Sequence, residues 1–176
     1  RRPGDYYKAM SFCLDFAKAN RALMMERFTD IAQSIAGAGI LDELDIHHNY
    51  AAFEHHYSKN VLVHRKGATK AMSGQRGIIP GSMGTPSYVT KGLGNIESFM
   101  SSSHGAGRRM GRSQATKTLN LAEEQERMAG VIHGLRTQKD LDEAPGAYKD
   151  IRSVMEQQKD LVEIEVELTP LAVIKA

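Results

Sequence analysis

LVEIEVEL, residues 161–168, sets apolar and acidic side chains in alternation: Val162, Ile164, Val166 and Leu168 on one side, Glu163, Glu165 and Glu167 on the other. Successive side chains of a strand point to opposite faces, so this stretch reads as a strand with one face buried and one in water. With the residues that follow, Leu161–Ile174 reads as one or two closing strands. The start of the chain has a different period. From Tyr7 to Ile35, Met10, Cys13, Leu14, Ala17, Met24, Phe28, Ile31 and Ile35 recur at helical spacing. Asp5 is placed as the N-cap, and Gly37 and Gly39 end the pattern. The Met-rich face of this helix reads as core. A long amphipathic helix and a period-two strand in one chain give an α+β class, with the helix packed on a mixed or antiparallel sheet that carries ligand-binding loops.

Between these two segments, residues 46–57 and 61–65 look extended, with Ser58-Lys59-Asn60 as a hairpin turn. Residues 67–111 read as short strands joined by loops. The pattern is helical around Gln114–Lys117 and over Leu121–Leu135. Asp142-Glu143-Ala144-Pro145-Gly146 reads as a turn, and Ala147–Gln158 as a short helix.

The 176 residues suffice for one domain with a sizeable core. Twenty-three Lys and Arg against 21 Asp and Glu leave a formal charge of +2, which excludes a strongly basic nucleic-acid tail and an acidic solvating tail. Apolar runs of four or five residues are too short for a membrane span or a signal-peptide core. One cysteine, Cys13, allows no internal disulfide, so a reducing, cytoplasmic setting is expected. A chain that opens on Arg1 is expected to be processed or part of a longer polypeptide. Ten of the 16 glycines lie between Gly67 and Gly111, and six of the seven histidines between His47 and His104. Glycine permits close backbone approach, and histidine supplies nucleophiles, bases and metal ligands, so their overlap marks the functional region.

Each motif there has a plain and a functional reading. His47-His48-Asn49-Tyr50 followed by Glu54, His55 and His56 is either a polar strand edge or a source of metal ligands. Adjacent strand histidines face opposite ways and would not share an ion, whereas Glu54 would share a face with His48. Arg65-Lys66-Gly67 is a solvated turn or a phosphate contact, without Walker A spacing. Ile79-Pro80-Gly81-Ser82-Met83-Gly84-Thr85-Pro86-Ser87 combines rigid backbone with three hydroxyls and is better read as a ligand loop. In Ser103-His104-Gly105-Ala106-Gly107, a histidine sits among small residues where a substrate can reach its ring. Arg108, Arg109 and Arg112 add positive charge for an anionic transition state. By physical argument alone Lys175 is a frayed terminal charge.

Taken in order, HHNY, RKGA, IPGSMG with Ser87-Tyr88, SSSHGAGR, AYKDI and a terminal Ile-Lys resemble the RNA-splicing ligase RtcB family, from about Tyr6 to Lys175. The resemblance is to the C-terminal part of that family's proteins. It implies an RtcB-like fold in which residues 1–176 are the C-terminal portion of one catalytic domain, the N-terminal metal-binding portion being absent. It also implies a GTP- and manganese-dependent enzyme that joins RNA 2′,3′-cyclic phosphate or 3′-phosphate ends to 5′-hydroxyl ends through a histidine–GMP intermediate, in tRNA splicing or RNA repair. An archease-like activating partner is implied as an option, and no membrane. Carried over by residue, His104 matches the guanylylated nucleophile and His48 a manganese ligand. Asn49, Pro80, Gly81, Ser82, Met83, Ser87, Gly105, Ala106, Gly107, Tyr148 and Lys175 match the guanylate site, and Lys66 fits a lysine near the phosphates. The ending Ile-Lys-Ala departs from the family's Ile-Lys-Gly. The family's remaining metal ligands are expected before Arg1, so the chain alone should not ligate. The competing reading is a non-catalytic module that holds guanine nucleotide or RNA ends. A metal-dependent phosphoesterase is a weaker third, because few carboxylates accompany the histidines.

Overall fold

The computed structural model describes residues 3–174, so Lys175 lies outside the described residues. The chain is α+β and divides into two compact units, Arg1–Lys66 and Gly67–Ala176.

The first unit is a helix and a hairpin. Helix α1 runs Pro3–Ala36. Asp5 falls inside its first turn rather than at the cap, where its negative charge meets the positive end of the helix dipole. Gly37, at φ +63, ends it by donating its N–H to the Gln33 carbonyl (3.0 Å), a conformation that suits glycine. Strands β1 (Asn49–His56) and β2 (Lys59–Lys66) pair antiparallel, with Asn49 opposite Lys66. The turn falls at Tyr57 and Ser58, both at positive φ, one residue earlier than the spacing predicts. The helix lies on the hairpin through its N-terminal half: Tyr7 packs on Phe53 with ring centroids 5.5 Å apart, and Tyr6 stacks on His64 at 5.9 Å. A two-stranded ribbon cannot cover 34 residues of helix. The expected core face is therefore covered only at Met10, Leu14 and Ala17, while Met24, Phe28, Ile31 and Ile35 are exposed.

The hairpin has a polar centre. Glu54 accepts two hydrogen bonds from Arg65, at 2.7 and 2.9 Å, and lies 2.8 Å from His56 Nε2. Arg65 is 2% exposed and also lies over the Tyr50 ring. A buried guanidinium needs a paired carboxylate, so this bidentate contact accounts for a charge inside the ribbon.

The second unit contains two small sheets. Strands β3 (Ala68–Lys70) and β6 (Ser101–Ser103) pair antiparallel. Strands β4 (Arg76–Ile79), β5 (Ser87–Gly92) and β7 (Val162–Leu168) form an antiparallel sheet in the order β4-β5-β7. The helices are α2 (Arg112–Thr118), α3 (Leu121–Arg127), capped by Asn120, and α4 (Ile151–Glu156), capped by Asp150. The helical pattern expected to reach Leu135 stops at Arg127, and Gly130 turns the chain at φ +85. The turn expected at 142–146 lies within two 3₁₀ segments, Gln138–Glu143 and Pro145–Ala147. One core gathers Ala71, Ile79, Tyr88, Ala106, Ile151, Met155 and Val162; a second gathers Leu135, Leu141 and Ala144.

The alternating stretch is a strand, as its period requires, but only Val162 is buried. Ile164, Val166 and Leu168 stay 41–48% exposed. Helix α4 has six residues, about 9 Å, and covers the start of β7 alone. After β7, the chain makes an isolated bridge at Ala172 with Ile132 in place of a second strand. Among the described residues no helix is long and apolar enough to cross a membrane.

Candidate functional site

Three motif segments and one glycine converge in the second unit. His104 follows β6, and its N–H donates to the Gly67 carbonyl at 3.4 Å. Gly67 has φ +74, and a Cβ added there would lie 3.6 Å from His104 Cε1 and 3.7 Å from Nδ1. The imidazole therefore faces the open side of Gly67, with space for a methyl between them, and is half-buried. Next to it, the Ala106 N–H donates to the Pro80 carbonyl at 2.9 Å, and a Cβ on Gly105 would press on that same oxygen at 3.1 Å. The loop after Ile79 and the His-Gly-Ala-Gly turn thus share a hydrogen bond and a close backbone contact.

The third segment joins beyond Gly107, which turns at φ +72. Lys149 N–H donates to the Gly107 carbonyl and Arg109 N–H to the Ala147 carbonyl, both at 2.9 Å. Arg108 lies over the Tyr148 ring, 5.1 Å from its centroid, and donates to the Tyr148 hydroxyl at 3.3 Å.

The loop 80–87 is closed on itself. Thr85 Oγ1 accepts from the Ser82 N–H at 2.6 Å and lies 2.9 Å from Ser82 Oγ. Gly81 is wedged so that an added Cβ would overlap the Pro86 carbonyl oxygen and the Thr85 hydroxyl. Gly81→Ala should therefore open this loop and cost about 2–4 kcal/mol of the second unit's stability, as backbone atoms must shift. Urea unfolding of the variant beside the parent protein measures the loss. Met83, expected at the nucleotide, packs its side chain against the second core, and Ala106 is buried in the first. Ala106 is left to offer a ligand its backbone, while Met83 is only partly buried. Ser87, half-buried, opens β5 opposite Leu168.

The arginines behave differently from the expectation of a free cationic cluster. Arg108 and Arg112 both pair with Glu143, at 2.9 and 2.8 Å, and Arg109 Nε donates to the Gly146 carbonyl at 2.7 Å. Tyr148 donates to the same carboxylate. Burial alone would raise the Glu143 pKa, but the hydrogen bonds from Tyr148 and Arg112 and the charge of Arg108 outweigh it and hold it below the usual range. Burial, and then the bond to Glu143, push the Tyr148 phenol up. A depressed carboxylate stabilises the fold above its unfolded pKa, and that contribution is lost as pH falls through the folded value. Glu143→Gln should thus cost about 1–3 kcal/mol at neutral pH. Parent and variant should converge when melted at progressively more acidic pH.

Little near Glu143 in the sequence signals this role: Tyr148 is five residues on, but Arg112 and Arg108 are 31 and 35 residues away. Glu124 was equally hidden: it is 1% exposed, and its carboxylate accepts the Gly146 N–H at 2.8 Å, fixing the turn that leads to Tyr148.

The other expected residues lie in the first unit. His47 and His48 precede β1 and so do not alternate along it. His47 is 3.4 Å from Arg21, while His48 and Asn49 are exposed. Register sets Asn49 opposite Lys66. Glu54, considered as a partner of His48, is instead committed to Arg65 and His56. Among the described residues no three His, Cys, Asp or Glu side chains are placed to hold a metal.

A family model described as tRNA-splicing ligase RtcB matches residues 2–176. The chain is 43% identical over 178 residues to the RNA-splicing ligase RtcB of Escherichia coli (strain K12), covering 97% of this chain and 43% of that protein. It is 34% identical over 201 residues to the tRNA-splicing ligase RtcB of Pyrobaculum aerophilum, covering 97% and 42%. It is 37% identical over 201 residues to RNA-splicing ligase RtcB homolog 1 of Entamoeba dispar, covering 97% and 37%. The chain therefore spans less than half the length of these relatives. On a match that takes in all three converging segments, the chain belongs to the tRNA-splicing ligase RtcB family.

Proposed function

We propose that residues 1–176 are the C-terminal portion of a single RtcB-type catalytic domain, and that the whole protein is a GTP-dependent RNA ligase. It would join RNA ending in a 2′,3′-cyclic phosphate or 3′-phosphate to RNA with a 5′-hydroxyl, in tRNA splicing or RNA repair. The observation that carries this reading is the His104 imidazole, facing the open side of Gly67 beside a turn docked on Pro80. A ring beside glycine leaves room for a phosphate, and a neutral imidazole is a competent nucleophile through its unprotonated nitrogen.

In this reading His104 attacks the α-phosphorus of GTP. An N–P bond forms, the bond to the β-phosphate oxygen breaks, and pyrophosphate leaves. At a cyclic end, water first attacks the phosphorus and the P–O2′ bond breaks, leaving a 3′-phosphate and a 2′-hydroxyl; the N–P bond then breaks as GMP passes to the RNA 3′-phosphate. The 5′-hydroxyl attacks that phosphorus, loses its proton, and GMP departs. Pro80, Gly81, Ser82, Met83, Ser87, Gly105, Ala106, Gly107 and Tyr148 would frame the guanylate. Asn49 and Lys66, which share one end of the hairpin, would serve its phosphates. Lys175 would contact the guanine. An archease-like protein is a candidate activator.

Manganese is part of the family reading, with His48 as its donor here. The described side chains do not by themselves amount to a manganese site. Further donors would have to come from the N-terminal portion.

The test is intact mass after incubation with GTP and manganese, on this chain and on the full-length polypeptide. An increase equal to GMP in the full-length protein supports the reading. RNA joining by the isolated chain would contradict its assignment as an incomplete domain. A full-length protein that binds GTP without a covalent adduct would favour the binding-module alternative.

A further inference from the structure

Gln158 is 4% exposed and lies just after α4, 55 residues along the chain from Ser103. Its side chain serves neither the core nor the surface. Oε1 accepts the Ser103 backbone N–H at 3.0 Å, and Nε2 lies 3.1 Å from Ser103 Oγ. A backbone N–H can only donate, so the amide must turn its oxygen toward it. Nε2 then donates to Ser103 Oγ, and the Ser103 hydroxyl is left with its own proton to give. It gives that proton to the Gly105 carbonyl, at 3.2 Å. One side chain therefore fixes the residue before His104 and, through a hydroxyl relay, the residue after it. Among the described residues strand β6 has β3 as its one partner strand, and Gln158 supplies the acceptor for the Ser103 N–H.

The amide is itself held. Nε2 also approaches Met155 Sδ at 3.4 Å, and the Gln158 carbonyl accepts N–H bonds from Leu161 at 2.9 Å and Val162 at 3.1 Å. Met155 and Val162 belong to the first core. The clamp is thus anchored on packed structure, as a rigid setting for a reacting group requires.

We propose that Gln158 is a positioning residue for His104: it locks Ser103 and Gly105, so that the backbone carrying the imidazole stays in one place beside Gly67. This rests on the reading of His104 as the nucleophile. The expected signature is a slower covalent step with little change in nucleotide affinity, because the placement of the ring is lost and the nucleotide pocket is not.

Gln158→Leu and Gln158→Glu in the full-length polypeptide test it. Leucine is apolar, of similar size, and makes neither bond; glutamate keeps an acceptor for the Ser103 N–H. With Gln158→Leu, amide exchange at Ser103 should rise at least about tenfold, GMP-adduct formation at saturating GTP should slow about tenfold, and the KM for GTP should stay within about twofold. Gln158→Glu should fall between this and the parent, and serves alone if the leucine variant does not fold. A purely packing role predicts near-parent behaviour for leucine, and that result would overturn the proposal. So would slowed adduct formation with Ser103 exchange unchanged. If the parent protein itself forms no adduct, the nucleophile reading fails separately. The clamp is then judged by Ser103 exchange and by the rate at which diethyl pyrocarbonate modifies His104 relative to His133. Faster modification in Gln158→Leu supports it; unchanged exchange and modification overturn it.

Discussion

His104→Ala should leave no GMP adduct in the full-length protein, a loss of at least about a thousandfold in adduct formation. Alanine has no ring nitrogen, so the N–P bond cannot form at this position. The fold should hardly register the change. The hydrogen bond from residue 104 to the Gly67 carbonyl is made by backbone and survives the substitution. The ring faces the side of Gly67 where no Cβ stands, and the side chain is only half-buried. A melting curve close to the parent's, beside an absent mass increment, is the expected pair of results. An adduct that persists would place the nucleophile elsewhere, and peptide mapping would then look first at His48.

Glu54→Ala should have the largest effect on stability, about 3–5 kcal/mol in the first unit. The substitution takes away a carboxylate that receives two charge-assisted bonds from a guanidinium only 2% exposed. The Tyr50 hydroxyl at 3.4 Å and the tyrosine ring stay beside Arg65 after the change. The cost is that of taking a bidentate carboxylate from a buried guanidinium rather than the worth of one hydrogen bond. Because β1 and β2 hold Asn49 opposite Lys66, the same change should loosen both candidate phosphate contacts. Urea unfolding followed by tyrosine fluorescence gives the stability loss. Little or no loss would mean that solvent reaches Arg65 in solution.

What was legible in the sequence follows from the range of the forces involved. Period alone gave the helix over Tyr7–Ile35 and the strand at 162–168, because both record which side faces water over consecutive turns or pleats. The turn residues located the hairpin to within one position. Burial was harder to read: the apolar faces at Met24–Ile35 and Ile164–Leu168 are properly patterned yet exposed, since pattern says which side is apolar and not whether anything covers it. The candidate loop at 80–87 and the turn at His104 stood out through their glycines and hydroxyls. Their meeting at Pro80 did not, because it is a backbone contact across 26 residues. Glu143, Glu124 and Gln158 each act on at least one partner 22 to 55 residues away, and sequence neighbours do not reveal those pairings.

Strand β7 also bears on how the protein behaves in company. It ends a three-stranded sheet with its outer edge unpaired among the described residues, and it presents a half-exposed apolar row. Such an edge is a template for strands of other molecules. Glu163, Glu165 and Glu167 put a negative charge at every second position, and Glu165 is held at 2.8 Å by Arg76 from the far strand of the sheet. Two copies that met edge to edge would bring these rows together. The acidic residues that make the strand so readable in the sequence are therefore also its guard against aggregation, through like-charge repulsion that rising salt would weaken.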